Sequence, residues 1–260
     1  MPYAIVTGAS KGIGKAFAEN LAGRKFNLVL VARSEELLNQ LSTKLQQENG
    51  VTVYSLVLDL SKRESPKRIF EFITEKKLDV EVLINNVGYS LWGNFHELGL
   101  EEQNEMITAN IFTTVNLSHL LIPLLLKNKK SYILNVCSTA AYQSVPTMTI
   151  YSASKAFILS FTRGLRWELR NTSISVSCLS PGSANTDFIE RAKMEHMRKA
   201  AEKVNWEPAD VAEAGLSGMF KGKAEIIPGF INQLNALAPR LAPKTLVENI
   251  AGNLYKKKEK

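Results

Sequence analysis

The sequence predicts an α/β chain folded as one doubly wound domain, a parallel sheet covered by helices on both faces. Three observations predict it. Short apolar runs rich in β-formers alternate along the chain with longer stretches in helical period. Those stretches are long enough to be crossover helices, which successive parallel strands require. No repeat or low-complexity linker divides the alternation, and at 260 residues, 45% hydrophobic and 22% charged, the chain suits a single domain over 1–260.

The first run, Tyr3-Ala4-Ile5-Val6-Thr7, passes at once into Gly8-Ala9-Ser10-Lys11-Gly12-Ile13-Gly14, and Ile13, Ala16, Phe17 and Leu21 then recur at helical spacing. Strand, glycine turn and helix form the context of a phosphate site: glycines let the backbone approach a pyrophosphate, and the helix N-terminus offers it free N–H groups. The spacing is G-x-x-x-G-x-G rather than G-x-G-x-x-G, so its position at a strand-to-helix turn carries more than the bare pattern. A second strand, 27–32, ends at Arg33. An acid at that tip would suit the ribose hydroxyls of NAD(H), whereas a base suits the 2′-phosphate of NADP(H). Arg33 and Lys11 are expected to converge on that phosphate, which favours NADP(H); the alternative is that Arg33 only begins the helix 34–48.

A third strand, 51–58, runs into Asp59-Leu60, where a side chain at the tip can reach an adenine, and Ser61 is placed to cap a helix ending near 76. The fourth strand, 81–84, ends in Asn85-Asn86-Val87-Gly88. Amides and a glycine at a carboxyl edge suit a ligand crevice, and Asn85 equally suits a link between strands. Residues 101–126 form a long helical pattern interrupted by Pro123, with Asn110 well inside it. Such an asparagine is either solvated or perturbs the backbone and holds a water. The fifth strand, 131–136, leads to Cys137-Ser138, and the helix 150–170 carries Tyr151 and Lys155. At i and i+4 these two share a face, so the ammonium favours phenolate and draws the tyrosine pKa down from about 10. Tyr151 then reads as a general acid or base, although the pair taken alone reads more simply as a solvated helix face.

The sixth strand, 174–179, ends in Ser180-Pro181-Gly182. Residues 185–220 read as a mostly helical substrate lobe broken at Glu207-Pro208, followed by a short edge strand at 225–227. The C-terminal extension, 228–260, is expected to be irregular around Pro239 and Pro243, then to end in an amphipathic helix with Leu246, Val247, Ile250 and Leu254 on one face. That face is expected to dock on the protein's own body or a sister subunit rather than touch a membrane.

Composition narrows the partners. Cys137 and Cys178 lie in strand-like runs and read as buried thiols of a reducing compartment. His96, His119 and His196 are scattered, so no metal is expected. The net charge of +7 comes largely from the tail Lys256-Lys257-Lys258-Glu259-Lys260 and from Arg191, Lys193, Arg198, Lys199 and Lys203, without an aromatic stacking array, so it reads as a solvated basic face and not a nucleic-acid site. No stretch approaches the roughly 20 apolar residues of a membrane span, the longest candidate being 120–126, and the N-terminus lacks a basic region and cleavage site. A cytoplasmic protein without stable membrane anchoring is expected.

Taken in order, Thr7-Gly8-x-x-x-Gly12-x-Gly14, Asp59, Asn85-Asn86-x-Gly88, Asn110, Ser138, Tyr151-x-x-x-Lys155, Pro181-Gly182 and Thr186 resemble the short-chain dehydrogenase/reductases, as far as about Gly229. Each motif is weak, but their ordered conjunction is specific. The resemblance implies a Rossmann fold and hydride transfer between NADP(H) and a carbonyl or alcohol substrate. It also implies that Tyr151 supplies a proton to the carbonyl oxygen and Ser138 a hydrogen bond. Lys155 would lower the Tyr151 pKa and bind the nicotinamide ribose, and Asn110 would hold a water linking Lys155 to solvent. Cofactor contacts are expected at Gly8, Ser10, Lys11, Gly12, Ile13, Gly14, Arg33, Asp59, Leu60, Asn86, Gly88, Tyr151, Lys155, Pro181, Gly182 and Thr186.

The chain departs from the family pattern at Val87, where alanine is usual, and at Cys137, where serine is frequent. Ile227-Pro228-Gly229 and the later prolines look like the ketoacyl- and hydroxysteroid-type subgroup. Trp92, Phe95, Tyr142, Val145, Met148, Phe188, Met194, Met197 and Trp206 are expected to build an apolar substrate pocket. By family analogy the chain is a homodimer or homotetramer through the helices 101–126 and 150–170. The competing reading is a sensor or scaffold that binds NADP without catalysis.

Overall fold

The structure, a computed structural model, describes residues 1–192 and 206–255, the side chains at 189, 191, 240 and 255 excepted. Strand and helix alternate as β1 (Tyr3–Thr7), α1 (Gly12–Gly23), β2 (Asn27–Ala32), α2 (Glu35–Asn49), β3 (Val53–Val57), α3 (Ser65–Glu75) and β4 (Val80–Asn85). The next helix runs in three pieces, α4 (Leu100–Ile107), a π-helical turn (Thr108–Phe112) and α5 (Thr113–Leu125). There follow β5 (Ser131–Val136), a 3-10 turn (Thr139–Tyr142), α6 (Thr149–Glu168), β6 (Ile174–Leu179), α7 (Phe188–Arg191), α8 (Pro208–Phe220), β7 (Glu225–Ile226), α9 (Phe230–Leu241) and α10 (Lys244–Tyr255).

The strands pair in the order β3-β2-β1-β4-β5-β6-β7, all parallel, so the chain reverses its direction of winding between β1 and β4. β2 and β5 are buried along their whole length, which is why their sequences are continuous runs rather than alternations. Successive side chains of β1 divide between two apolar layers, as a period of two requires. Ala4 and Val6 join Phe17, Leu21, Leu38, Leu216 and Met219 beneath α1, α2 and α8, while Ile5 joins Ile69, Ile73, Leu117 and Leu121 beneath α3 and α5. A polar ladder crosses the second layer: Asn85 Nδ2 donates to Asn135 Oδ1 (2.9 Å) and Ser118 Oγ (3.2 Å), and Asn135 Nδ2 donates to Thr162 Oγ1 (2.9 Å). Asn85 is therefore the strand link that its position also allowed.

Several expectations are corrected. Ser61 does not cap α3; its N–H and hydroxyl both donate to Asp59 Oδ1, making a local turn, and the helix begins at Ser65 with Pro66 in its first turn. Pro123 lies inside α5 close to its end instead of interrupting the helix. Leu100–Leu125 is long and apolar enough by composition to span a bilayer, with a mean hydropathy of 1.3, contrary to the sequence expectation. Its Leu117, Leu121 and Leu125 are nevertheless fully buried in the layer against the sheet. Beyond Pro228 the chain is helical: Pro239 falls near the end of α9, and Pro243 separates α9 from α10. Most of the amphipathic face of α10 is not docked on the protein's own body: Leu246, Ile250 and Leu254 are 52%, 61% and 57% exposed, and only Val247 of the four is half-buried. Met194, Met197, Lys193, Arg198, Lys199, Lys203 and the tail 256–260 lie outside the described residues.

Candidate active site

The site forms where the winding reverses, at the carboxyl ends of β1 and β4, the place where open parallel sheets leave a crevice. Thr7 stitches the two ends together: its Oγ1 donates to the Ile84 carbonyl (3.2 Å) and accepts the N–H groups of Asn86 (2.9 Å) and Val87 (3.0 Å). The Asn86 amide donates back to the carbonyls of Thr7 (2.9 Å) and Gly8 (3.3 Å), so this expected cofactor residue holds the glycine turn in shape. Gly12 takes φ +54°, and a Cβ on Gly14 would stand inside the contact distance of the Gly8 carbonyl oxygen. Without a Cβ at Gly14, α1 packs directly on the glycine turn, an arrangement that fits a dinucleotide's pyrophosphate at the helix N-terminus. Ile13 is half-buried and packs into the first layer.

Ser10, Lys11, Gly12, Thr186 and Asp187 line a crevice of about 540 Å³. The segment after Pro181-Gly182 folds over the glycine turn, bringing the Thr186 methyl so close that a Cβ on Gly12 would lie 2.9 Å from it. Lys11 Nζ pairs with Asp187 Oδ2 at 2.8 Å, both side chains about 60% exposed. The expected convergence of Lys11 with Arg33 is corrected to this extent, that Lys11 is tied to Asp187; an exposed pair of this kind is screened by solvent and weak. Arg33 is exposed at the tip of β2. Burial acts to raise the Asp59 carboxyl, but the Ser61 hydrogen bonds and the nearby charges of Arg33 and Lys62 outweigh it and hold Asp59 below the usual carboxylate range. Leu60 is buried, and its carbonyl accepts the Thr113 hydroxyl at 2.8 Å.

α6 carries Tyr151 and Lys155 on one helical face, with Lys155 beside Gly88 beyond the end of β4, and both are buried; neither lines the 540 Å³ crevice. Lys155 Nζ donates to the Val136 carbonyl at 2.9 Å and lies 5.8 Å from the centre of the Tyr151 ring. Burial pushes the Lys155 ammonium below the ordinary lysine range. A Cβ on Gly88 would lie 3.1 Å from that Nζ and 3.3 Å from Asn110 Oδ1, so the ammonium and the carboxamide stand on the same side of Gly88.

Asn110 sits within the π-helical turn and is 1% exposed. Its Nδ2 donates to the Tyr89 carbonyl (3.0 Å) and to Ser154 Oγ (3.1 Å), and its Oδ1 accepts the Tyr89 N–H (3.1 Å). Ser154 in turn donates to the Tyr151 carbonyl at 2.7 Å. Both Nδ2 hydrogens are committed, so a water bound here must itself donate, to Oδ1 or to a main-chain carbonyl. Ser138 Oγ accepts the Ala140 N–H at 3.1 Å, opening the 3-10 turn, and a hydroxyl that accepts there keeps its own proton to donate. The Pro181 carbonyl accepts the Thr139 N–H at 2.9 Å, coupling the end of β6 to the residue after Ser138.

Apolar residues close around the phenol. Met106, Val145, Met148, Leu91, Trp92 and Phe188 pack with Tyr151, and the Phe188 ring centre is 5.4 Å from that of Tyr151. Two expected pocket residues point elsewhere. The Tyr142 phenol donates to Glu225 Oε1 (2.5 Å) and stands 3.0 Å from Ser180 Oγ; burial, then the Glu225 bond, push its pKa far up. Trp206 packs over Gly229 and joins the first apolar layer. Phe95 is more than half exposed.

Thr7, Ser154, Asp187 and the Cys137 thiol were not singled out for these roles by the sequence. Cys137 Sγ donates to the Lys155 carbonyl at 3.0 Å, tying the end of β5 to α6. Ser154 had a local signal, its i+3 spacing from Tyr151, whereas Asp187 meets a lysine 176 positions away and had none.

A sequence profile described as short chain dehydrogenase matches residues 2–197. An uncharacterized oxidoreductase of Staphylococcus saprophyticus is 32% identical over 219 residues, covering 82% of this chain and 88% of that one. The very-long-chain 3-oxoacyl-CoA reductase of Anas platyrhynchos is 32% identical over 226 residues, covering 85% of this chain and 71% of its own. Among solved structures, a short-chain dehydrogenase from Sphingobium yanoikuyae in complex with NADPH superposes with a TM-score of 0.84 at 29% identity, over 95% of each chain.

Proposed function

The chain belongs to the short-chain dehydrogenase/reductase family, and from that premise we propose that it is an NADP(H)-dependent oxidoreductase acting on apolar ketones, aldehydes, steroid-like or 3-oxoacyl groups and the matching alcohols. The observation that carries the reading is the buried Lys155 ammonium beside Tyr151. A desolvated cation is costly to keep, and here it lies 5.8 Å from the ring centre of Tyr151, whose phenolate it would stabilise.

A nicotinamide dinucleotide would be held by Gly8, Ser10, Lys11, Gly12, Ile13 and Gly14 at the pyrophosphate, Arg33 at the 2′-phosphate and Asp59 and Leu60 at the adenine. Asn86, Gly88 and Lys155 would hold the nearer ribose, with Pro181, Gly182 and Thr186 at the carboxamide. When bound it supplies the hydride, or accepts it in the reverse direction. Tyr151 gives its phenolic proton to the carbonyl oxygen, contributing about 10²–10⁴ in rate. Lys155 stabilises the phenolate left behind. Ser138 donates its hydroxyl to the same oxygen as charge grows on it. Asn110, through Ser154, fixes the backbone of Tyr151 and offers its oxygen to a water that returns the proton. The apolar wall of Met106, Val145, Met148 and Phe188 supports an apolar substrate. Self-association through α4 to α6 is supported by the exposed Phe157 and Trp167 on α6.

The sensor or scaffold reading is not favoured, because a chain that only binds the cofactor has no chemical need for Ser138, Tyr151, Lys155 and Asn110 together. Turnover of NADPH with a panel of apolar ketones and 3-oxoacyl thioesters tests the proposal. Tyr151→Phe is expected to keep NADPH affinity and to lose turnover by about 10²–10⁴-fold. Normal turnover in that variant overturns the proton-donor role, and a wild-type chain that binds NADPH yet turns over nothing restores the sensor reading.

A further inference from the structure

We propose that α9 and α10 together form a docking face for an anionic lipid bilayer. On α9, Phe230, Leu234, Leu237 and Leu241 recur at spacings of four, three and four, and are 73%, 48%, 50% and 81% exposed. They make one solvent-facing apolar stripe, while Ala236 on the opposite side is buried and Asn232 bonds back to the Pro228 carbonyl. α10 repeats the arrangement, with Leu246, Ile250 and Leu254 outward and Ala251 inward. Two consecutive helices thus turn their apolar faces to solvent, the reverse of what a surface helix does when it covers a core.

Charge decides the occupant. Residues 228–260 contain Arg240, Lys244, Lys256, Lys257, Lys258 and Lys260 against Glu248 and Glu259, a net of +4 out of +7 for the whole chain. A second copy pairing through this face would bring two such segments together and repel. An anionic bilayer takes up the apolar stripes and attracts the cations, the pattern of helices that lie in a membrane interface. The opposite, inner sides of the two helices rest on the protein body. Asn232 is so close to Gly182 that a Cβ there would lie 2.7 Å from its side-chain Cγ, and Gly252 of α10 packs on Pro146. The inference is independent of the reaction proposed above.

The full chain is floated with vesicles of phosphatidylcholine, or of phosphatidylcholine with phosphatidylserine. It is expected to float with the anionic vesicles and to bind the neutral ones at least about tenfold less. Replacing the three lysines (Lys256→Gln, Lys257→Gln, Lys258→Gln) lowers anionic binding about a hundredfold at most. Leu234→Glu with Leu241→Glu abolishes flotation, while the thermal midpoint stays at the wild-type value because both side chains are exposed. A chain that floats with neither vesicle overturns the proposal. So does a leucine double variant that floats like the wild type, or one that splits a dimer in sizing chromatography without changing flotation.

Discussion

Gly14→Ala probes the packing that holds the glycine turn in shape. A methyl at Gly14 would press on the Gly8 carbonyl oxygen and lie 2.6 Å from Asn86 Nδ2 and 2.8 Å from the Gly8 carbonyl carbon. The Gly8 atoms are backbone, and Asn86 is held by its bonds to the Thr7 and Gly8 carbonyls, so no side-chain rotation relieves the clash. Overpacking of this kind costs about 1–3 kcal/mol. At about 2–4 °C per kcal/mol for a chain of this size, the thermal midpoint should fall by roughly 2–12 °C. Because the clash displaces Gly8, the turn that would bind phosphate moves as well. The stabilisation by NADPH, about 2.7 kcal/mol at a hundredfold excess over Kd, should therefore shrink in the variant. Gly164→Ala is the matched control: Gly164 lies in α6 with nothing within 4 Å of an added Cβ, and helix propensity predicts a gain of about 0.5–1 kcal/mol. Differential scanning of both variants with and without NADPH reads all four quantities. An unchanged midpoint and an undiminished NADPH shift in Gly14→Ala would refute the assignment of this turn to the cofactor.

Two more outcomes follow from the same geometry. Arg33→Asp should lower the ratio of NADPH to NADH in kcat/KM by about 10–100-fold, the worth of one charged hydrogen bond, and an unchanged ratio would remove Arg33 from the 2′-phosphate site. Asn135→Leu takes away the acceptor of Asn85 and the donor to Thr162 inside the second layer, and should cost about 1–3 kcal/mol, read as a lower denaturant midpoint at constant m-value; an unchanged midpoint would mean that the ladder does not stabilise the sheet.

The sheet was legible because its strands are buried on both sides. Tyr3–Thr7, Asn27–Ala32, Ser131–Val136 and Ile174–Leu179 match the apolar runs residue for residue. β3 is shorter than its run because it is an edge strand, paired only with β2. The prolines misled at Pro239 and Pro123, since a proline near a helix end loses one hydrogen bond without ending the helix. In the site, Tyr151 and Lys155 were legible because helical spacing is a local rule. A backbone perturbation at Asn110 was one of the two readings its mid-helix position allowed, but its clamp on Tyr89 spans 21 positions and had no local signal. The Lys11 pairing with Asp187 was hidden for a different reason: a cation with a free choice of partner takes the nearest acid, and only the three-dimensional path of the chain says which acid that is.

The π-helical turn at Thr108–Phe112 also makes the length of its helix matter. Upstream, α4 presents Met106 to the wall around Tyr151; downstream, α5 presents Leu117 and Leu121 to the sheet. One extra residue wound between them rotates the two halves by roughly the 100° that a single residue spans in an α-helix. Deleting any one of the four residues other than Asn110 would leave a regular α-helix, yet it would swing Met106 away from the wall and separate Asn110 from Tyr89 and Ser154. The helix therefore carries a residue count as well as a sequence. Substitutions along its solvent side are tolerable, whereas a single codon lost within it is not.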